Sequence, residues 1–145
     1  HYGGNHRKAM RDLTTVIRVD PKFHKAYRLR GLVRVEQQDW AGLRDDLTDA
    51  IRLNPNDSEL YNIRGGACYR LQDYQSALAD FDRAIMLQAN NPESYHNRGL
   101  VKHRQGDLDG AIADFRQALQ LNPSFAIARE SLSQVEQTKR ESGVS

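Results

Sequence analysis

Tyr61-Asn62-Ile63-Arg64-Gly65 decides how this chain is read, because it has two echoes. They are Tyr27-Arg28-Leu29-Arg30-Gly31 and Tyr95-His96-Asn97-Arg98-Gly99, and the step from Tyr27 to Tyr61 equals the step from Tyr61 to Tyr95. A fixed period between roughly 20 and 50 residues marks a repeat array, in which each unit is one supersecondary motif, and this step falls in that range. Other positions keep the same register. Leu43, Ala77 and Ala111 stand at one constant distance after the repeated glycine, Leu47, Phe81 and Phe115 at another, and Ala50, Ala84 and Ala118 at a third. Small residues at such places let two antiparallel helices approach, while a leucine or aromatic fills the groove between them.

Between these anchors the apolar residues recur at helical spacing. Ala9, Leu13, Val16 and Ile17 mark a helix from His6 to Val19, and Asp20-Pro21 ends it, since proline disfavours helical geometry in the residue before it. Helix–turn–helix units follow. The first runs from Lys22 to Glu36 and from Trp40 to Leu53, with Gln37-Gln38-Asp39 as the turn and Asn54-Pro55 as the stop. The second runs from Asp57 to Leu71 and from Tyr74 to Leu87, around Gln72-Asp73. The third runs from Pro92 to Gln105 and from Leu108 to Leu121, around Gly106-Asp107, and stops at Asn122-Pro123. A last helix is expected over Ser124 to Arg140, with a fraying tail. The expectation is one all-α domain over 1–145: a half repeat at 6–19, full repeats at 22–53, 57–88 and 92–121, and a capping helix at 124–140.

Bulk composition only bounds the function. A net charge of +2 is too mild to argue for a nucleic-acid or membrane surface. Cys68 is the one cysteine, so no intrachain disulfide is possible. No apolar run reaches the 18 or so residues of a membrane span and nothing at the N-terminus reads as a signal peptide, so a cytoplasmic protein is expected.

These residues resemble the tetratricopeptide repeat family, whose period and small–large pattern they share over roughly Asn5 to Arg140. The copies depart from it at Tyr27, Tyr61 and Tyr95, where tryptophan is frequent, and at Leu43 and Leu47, where alanine and an aromatic are usual. The resemblance implies a right-handed α-solenoid of antiparallel helix pairs. It also implies that the first helix of each pair lines a concave groove holding a peptide or a partner's segment. One subgroup of the family grips the C-terminal carboxylate of chaperones with a lysine and an asparagine one turn apart. Here those places hold Arg28 and Leu32, so that set is incomplete.

The repeated arginines look like a basic ladder, yet Arg30, Arg64 and Arg98 are followed, at one constant distance, by Asp46, Asp80 and Asp114. In a hairpin with so short a turn this spacing sets arginine beside aspartate, and the pairing offsets the cost of burying either charge alone. They are read as structural pairs. The first helices of the three full units carry ten Lys and Arg against four acids, and the second helices four arginines against seven aspartates. With the first helices lining the groove, an acidic peptide or a free C-terminal carboxylate is the expected ligand. Arg28, Asn62, Tyr69, Arg70, His96, His103 and Arg104 are its expected contacts.

His96 and His103 stand seven residues apart, roughly 10 Å along a helix, too far to share one zinc ion. No metal, cofactor or catalytic set is expected: there is no phosphate-cradling glycine loop and no nucleophile–base pair. Cys68 reads as a buried small hydrophobe. Gly65 reads as a site of close helix packing, and Gly66 as room for a ligand backbone. Nucleic-acid binding lacks clustered aromatics and strong charge. The rival to a peptide-binding module is an assembly element that self-associates through the apolar stripe of 6–19.

Overall fold

The computed structural model describes residues 10, 30, 33, 34 and 36–143. Apart from Met10, the half repeat at 6–19 lies outside the described residues, as do its apolar stripe invoked for self-association and Arg28. Among the described residues six helices follow one another: α1 (Trp40–Leu53), α2 (Ser58–Arg70), α3 (Tyr74–Leu87), α4 (Pro92–Arg104), α5 (Leu108–Leu121) and α6 (Ala126–Glu141). Arg30, Val33, Arg34 and Glu36, ahead of α1, are also helical.

Short polar residues start four of these helices. Asp39 accepts from the Gly42 amide at 3.0 Å and Asp107 from the Gly110 amide at 2.9 Å, while Asp57 and Asn91 accept from the amides of Glu59 and Glu93. Each satisfies an amide that the helix itself leaves unpaired. Pro92 stands in the first turn of α4, where its missing N–H costs nothing. The last helix begins two residues later than expected. Asn122 accepts from the Ser124 amide at 3.2 Å and from its hydroxyl at 2.9 Å, which holds Pro123-Ser124 in a turn.

The hairpin turns repeat as faithfully as the helices. Gln38, Gln72 and Gly106 are spaced by the repeat period and all adopt positive φ, at 57°, 63° and 84°. The amides of Asp39, Asp73 and Asp107 then reach back to the carbonyls of Arg34, Cys68 and Lys102, each at 2.9 Å. This is a Schellman closure, and the aspartate at its end caps the next helix at Asp39 and Asp107. One residue ends one helix and opens the next.

The chain forms two compact units, the first ending at Asp73 and the second beginning at Tyr74. In the first, α1 packs on α2 and buries Leu43, Leu47 and Ala50 against a layer that includes Leu60 and Ala67. Leu43 and Leu47 are 2% and 1% exposed, so the departures at these positions fill the usual interior places. In the second unit α4 lies against both α3 and α5, and α6 covers α5. Phe115 is fully buried among Ala111, Ile112 and Val135, with Leu100, Leu108 and Leu132 at the margin. Gly99 explains itself here: a Cβ on it would stand 2.6 Å from Cε1 of Phe115, closer than real contacts allow. Among the described residues no helix is long and apolar enough to cross a membrane.

Candidate functional site

The repeated tyrosine and arginine serve the fold. Tyr61 donates its hydroxyl to the Pro55 carbonyl at 2.8 Å, and Tyr95 to the Ala89 carbonyl at 2.9 Å. Each tyrosine staples its helix to the loop six residues earlier. The acceptor is a backbone oxygen, which is why alanine can replace the repeated proline at 89. Arg129, at the next place in the register, donates to the Pro123 carbonyl in the same way. The final helix therefore continues the repeat as another first helix. Arg64 and Arg98 also lie over their own tyrosine rings, at 5.7 Å from each centroid.

Two of the expected Arg–Asp pairs are present, each with an additional cation. Arg98 meets Asp114 through two bonds, Nε to Oδ2 at 2.9 Å and Nη2 to Oδ1 at 2.8 Å. Its Nη1 reaches Asp82 on α3 at 3.0 Å, and Lys102 joins Asp114 at 3.1 Å. One guanidinium thus ties α4 to both of its neighbours. Asp114 holds the Arg98 pKa well above its ordinary value, with Asp82 adding to this and burial opposing it. Asp46 is bonded by Arg30 Nε at 2.9 Å and by Arg34 Nε at 2.8 Å. Arg34 also contacts Asp39, whose carboxyl is pushed below its usual value first by the Gly42 amide and then by Arg34. Arg34 and Lys102 were missed as partners, although both follow the repeated arginine by four residues. Cys68 stands at the matching middle position and interrupts the pattern. Arg64 and Asp80, the middle pair of the expectation, fall in different units; within its own unit Arg64 donates to Thr48 Oγ1 at 3.3 Å.

The other expected contacts separate clearly. Arg70 is exposed at the end of α2, with its guanidinium over the Trp40 ring at 5.4 Å, and Arg104 is exposed at the end of α4. Asn62, Tyr69 and His103 are half-buried. His96 corrects the expectation. It is 6% exposed, with its ring 5.5 Å from Phe115 and 5.3 Å from Phe125, and its Nε2 is 3.0 Å from the Ser131 hydroxyl. Burial lowers its pKa, because the charged form loses its hydration. His96 belongs to the interior between α4, α5 and α6 and is not a surface contact. Nothing stands within 4 Å of a Cβ placed on Gly66. Among the described residues no group of three or more His, Cys, Asp or Glu side chains could hold a metal ion.

The sequence model of the tetratricopeptide repeat matches residues 63–138. No curated protein matches the chain. Solved structures do. "Crystal structure of MamA" is similar with a TM-score of 0.89 at 23% identity, over 98% of this chain and 81% of that one. The structure described as "YrrB: a TPR protein with an unusual peptide-binding site" is similar at 0.81 and 22%, over 94% and 71%. The first such domain of Spaghetti (RPAP3), bound to the HSP90 peptide SRMEEVD, is similar at 0.77 and 23%, over 79% and 91%. These likenesses show an all-α fold of the solenoid class.

Proposed function

Because this chain belongs to the tetratricopeptide repeat family, we propose that it is a non-catalytic interaction module whose first helices hold a segment of a partner protein. The observation that carries the reading is how the cations are used. Arg30, Arg34, Arg98 and Lys102 are bonded to the buried aspartates of their own hairpins. Arg70 is left exposed, and its guanidinium rests on an aromatic face that steadies it without neutralising it. Arg104 occupies the equivalent place on α4 and is exposed as well. A carboxylate on the partner meets such a guanidinium with two parallel hydrogen bonds. Two of the similar structures support the reading, since one is described with a peptide-binding site and another with a bound peptide. Asn62, Tyr69 and His103 complete the proposed contact set, from which the burial of His96 removes it.

The test is capture of partners by the intact chain, repeated with Arg70→Glu and Arg104→Glu together. The partner held by the unaltered chain should be lost while the variant keeps its helical signal. Undiminished capture by a folded variant would move binding away from the first helices.

A further inference from the structure

Charge counted over whole helices overstates how positive the binding surface is. The internal aspartates occupy four of the cations, and on α2 and α4 the exposed bases are Arg70 and Arg104 at the C-terminal ends. Glu59 and Glu93 are exposed at the N-terminal ends of the same two helices. At about 100° per residue, Glu59, Ile63, Gly66 and Arg70 lie within roughly 60° of one another around α2. The buried residues Leu60, Tyr61, Gly65, Ala67 and Cys68 lie on the opposite side, and half-buried Asn62 and Tyr69 occupy one flank between the two. One face of α2 therefore runs from an acid, through half-buried Ile63 and the bare backbone of Gly66, to a guanidinium seated on Trp40. The open space over Gly66 leaves room for an apolar side chain against the helix. On α4 the same register reads Glu93, Asn97, Leu100 and Arg104, with the same polarity.

Resting on the interaction-module reading, we propose that the α2 face recognises a bipolar segment rather than a uniformly acidic one. The segment has a basic residue for Glu59, an apolar side chain for the space at Gly66, and an acidic residue for Arg70. The eleven steps from Glu59 to Arg70 rise about 16 Å along the helix. The ends of a five-residue extended segment lie four steps apart, about 13 Å at roughly 3.3 Å per step, and the length of lysine and glutamate side chains covers the remaining few ångströms. An all-acidic segment would set a carboxylate against Glu59, and like charges in contact disfavour the wrong partner as directly as opposite charges favour the right one. Glutamate at the start and arginine at the end of a helix also complement its dipole, so the test reads binding and folding separately.

The probes are three blocked pentapeptides: Lys-Ala-Leu-Ala-Glu, the same sequence reversed, and Glu-Ala-Leu-Ala-Glu. Each is titrated into the intact chain by NMR shift perturbation. One bipolar order should bind about tenfold tighter than the all-acidic peptide, a difference near 1.4 kcal/mol. Glu59→Lys should invert that preference. Gly66→Leu should weaken binding about tenfold without lowering the thermal midpoint of the chain. If the all-acidic peptide binds as tightly as the bipolar ones, or if Glu59→Lys leaves the ranking unchanged, the bipolar proposal falls and the interaction-module reading stands. Failure of all three peptides at millimolar concentration also overturns the proposal, and the capture experiment with Arg70→Glu and Arg104→Glu then judges the broader reading independently.

Discussion

The helices α2 and α4 occupy the same place in successive repeats, yet different side chains hold them there. Both carry the Tyr-x-x-Arg-Gly stretch, and both tyrosines staple to the preceding loop. After that they diverge. Four residues beyond the arginine, α4 has Lys102 on Asp114, whereas α2 has Cys68, 2% exposed. One residue beyond the tyrosine, α4 has His96 enclosed by Phe115, Phe125 and Ser131, whereas α2 has half-buried Asn62. Two residues beyond the arginine, α4 has Leu100 at the margin of the core, whereas α2 has Gly66 under open space. The lesson is that a repeat can hold its backbone register with few side chains. The remaining positions are free to fasten a helix more firmly or to open its surface.

The largest effect expected from this contrast comes from the carboxylate that fastens α4. Asp114→Ala leaves Arg98 and Lys102 partly buried without their shared partner and should cost about 3 kcal/mol in urea unfolding. Asp82, bonded to the same arginine but 57% exposed as a side chain, should cost less than about 1 kcal/mol when changed to alanine. Equal losses would mean that burial does not decide the value of these pairs.

A smaller effect separates two glycines. Gly99→Ala drives a methyl group into the Phe115 ring and should destabilise by about 1–3 kcal/mol. Gly66→Ala meets nothing and should stabilise by up to about 1 kcal/mol through helix propensity alone. A destabilising Gly66→Ala would show that the space above it is not open.

The smallest is a dependence on pH. Burial lowers the pKa of His96 in the folded chain, so its neutral form is the one the fold favours. That contribution is fully present above the unfolded value near 6.5. It is lost as pH falls from there toward the lower folded value, because the unfolded chain takes up the proton first. The urea midpoint should therefore drop between pH 7.5 and 5 by more in the unaltered chain than in His96→Asn, which gives α4 the residue found on α2. Identical drops would exclude His96 as the source.

Much of the architecture was legible because it depends on short spacings. Trp40–Leu53, Tyr74–Leu87 and Leu108–Leu121 begin and end where the apolar pattern places them, and the glycine at 99 has the close packing that its register suggested. The start of α6 was misplaced by two residues, because a side-chain turn at Asn122 competes with the helix and leaves no periodic trace. The contact set was less legible. Counting charges by helix cannot tell a cation bonded to the buried aspartate of its hairpin from one exposed at a helix end. Arg34 and Lys102 show that the difference lies in partners 12 residues away in sequence.

By itself the sequence determined the period, the helical hairpins and the pairing of Arg30 with Asp46 and Arg98 with Asp114. All of these follow from residues within about one repeat of each other, where helix geometry and a short turn dictate who can meet. Only the tertiary structure decided the fate of His96. It is closed in by α6 and bonded to Ser131, 35 residues on, so whether it meets a partner or joins the interior depends on a helix in the next repeat. Within the first unit tertiary packing likewise set the guanidinium of Arg70 over Trp40 while it bonded Arg30 and Arg34 to Asp46, a division that charge along the chain does not reveal.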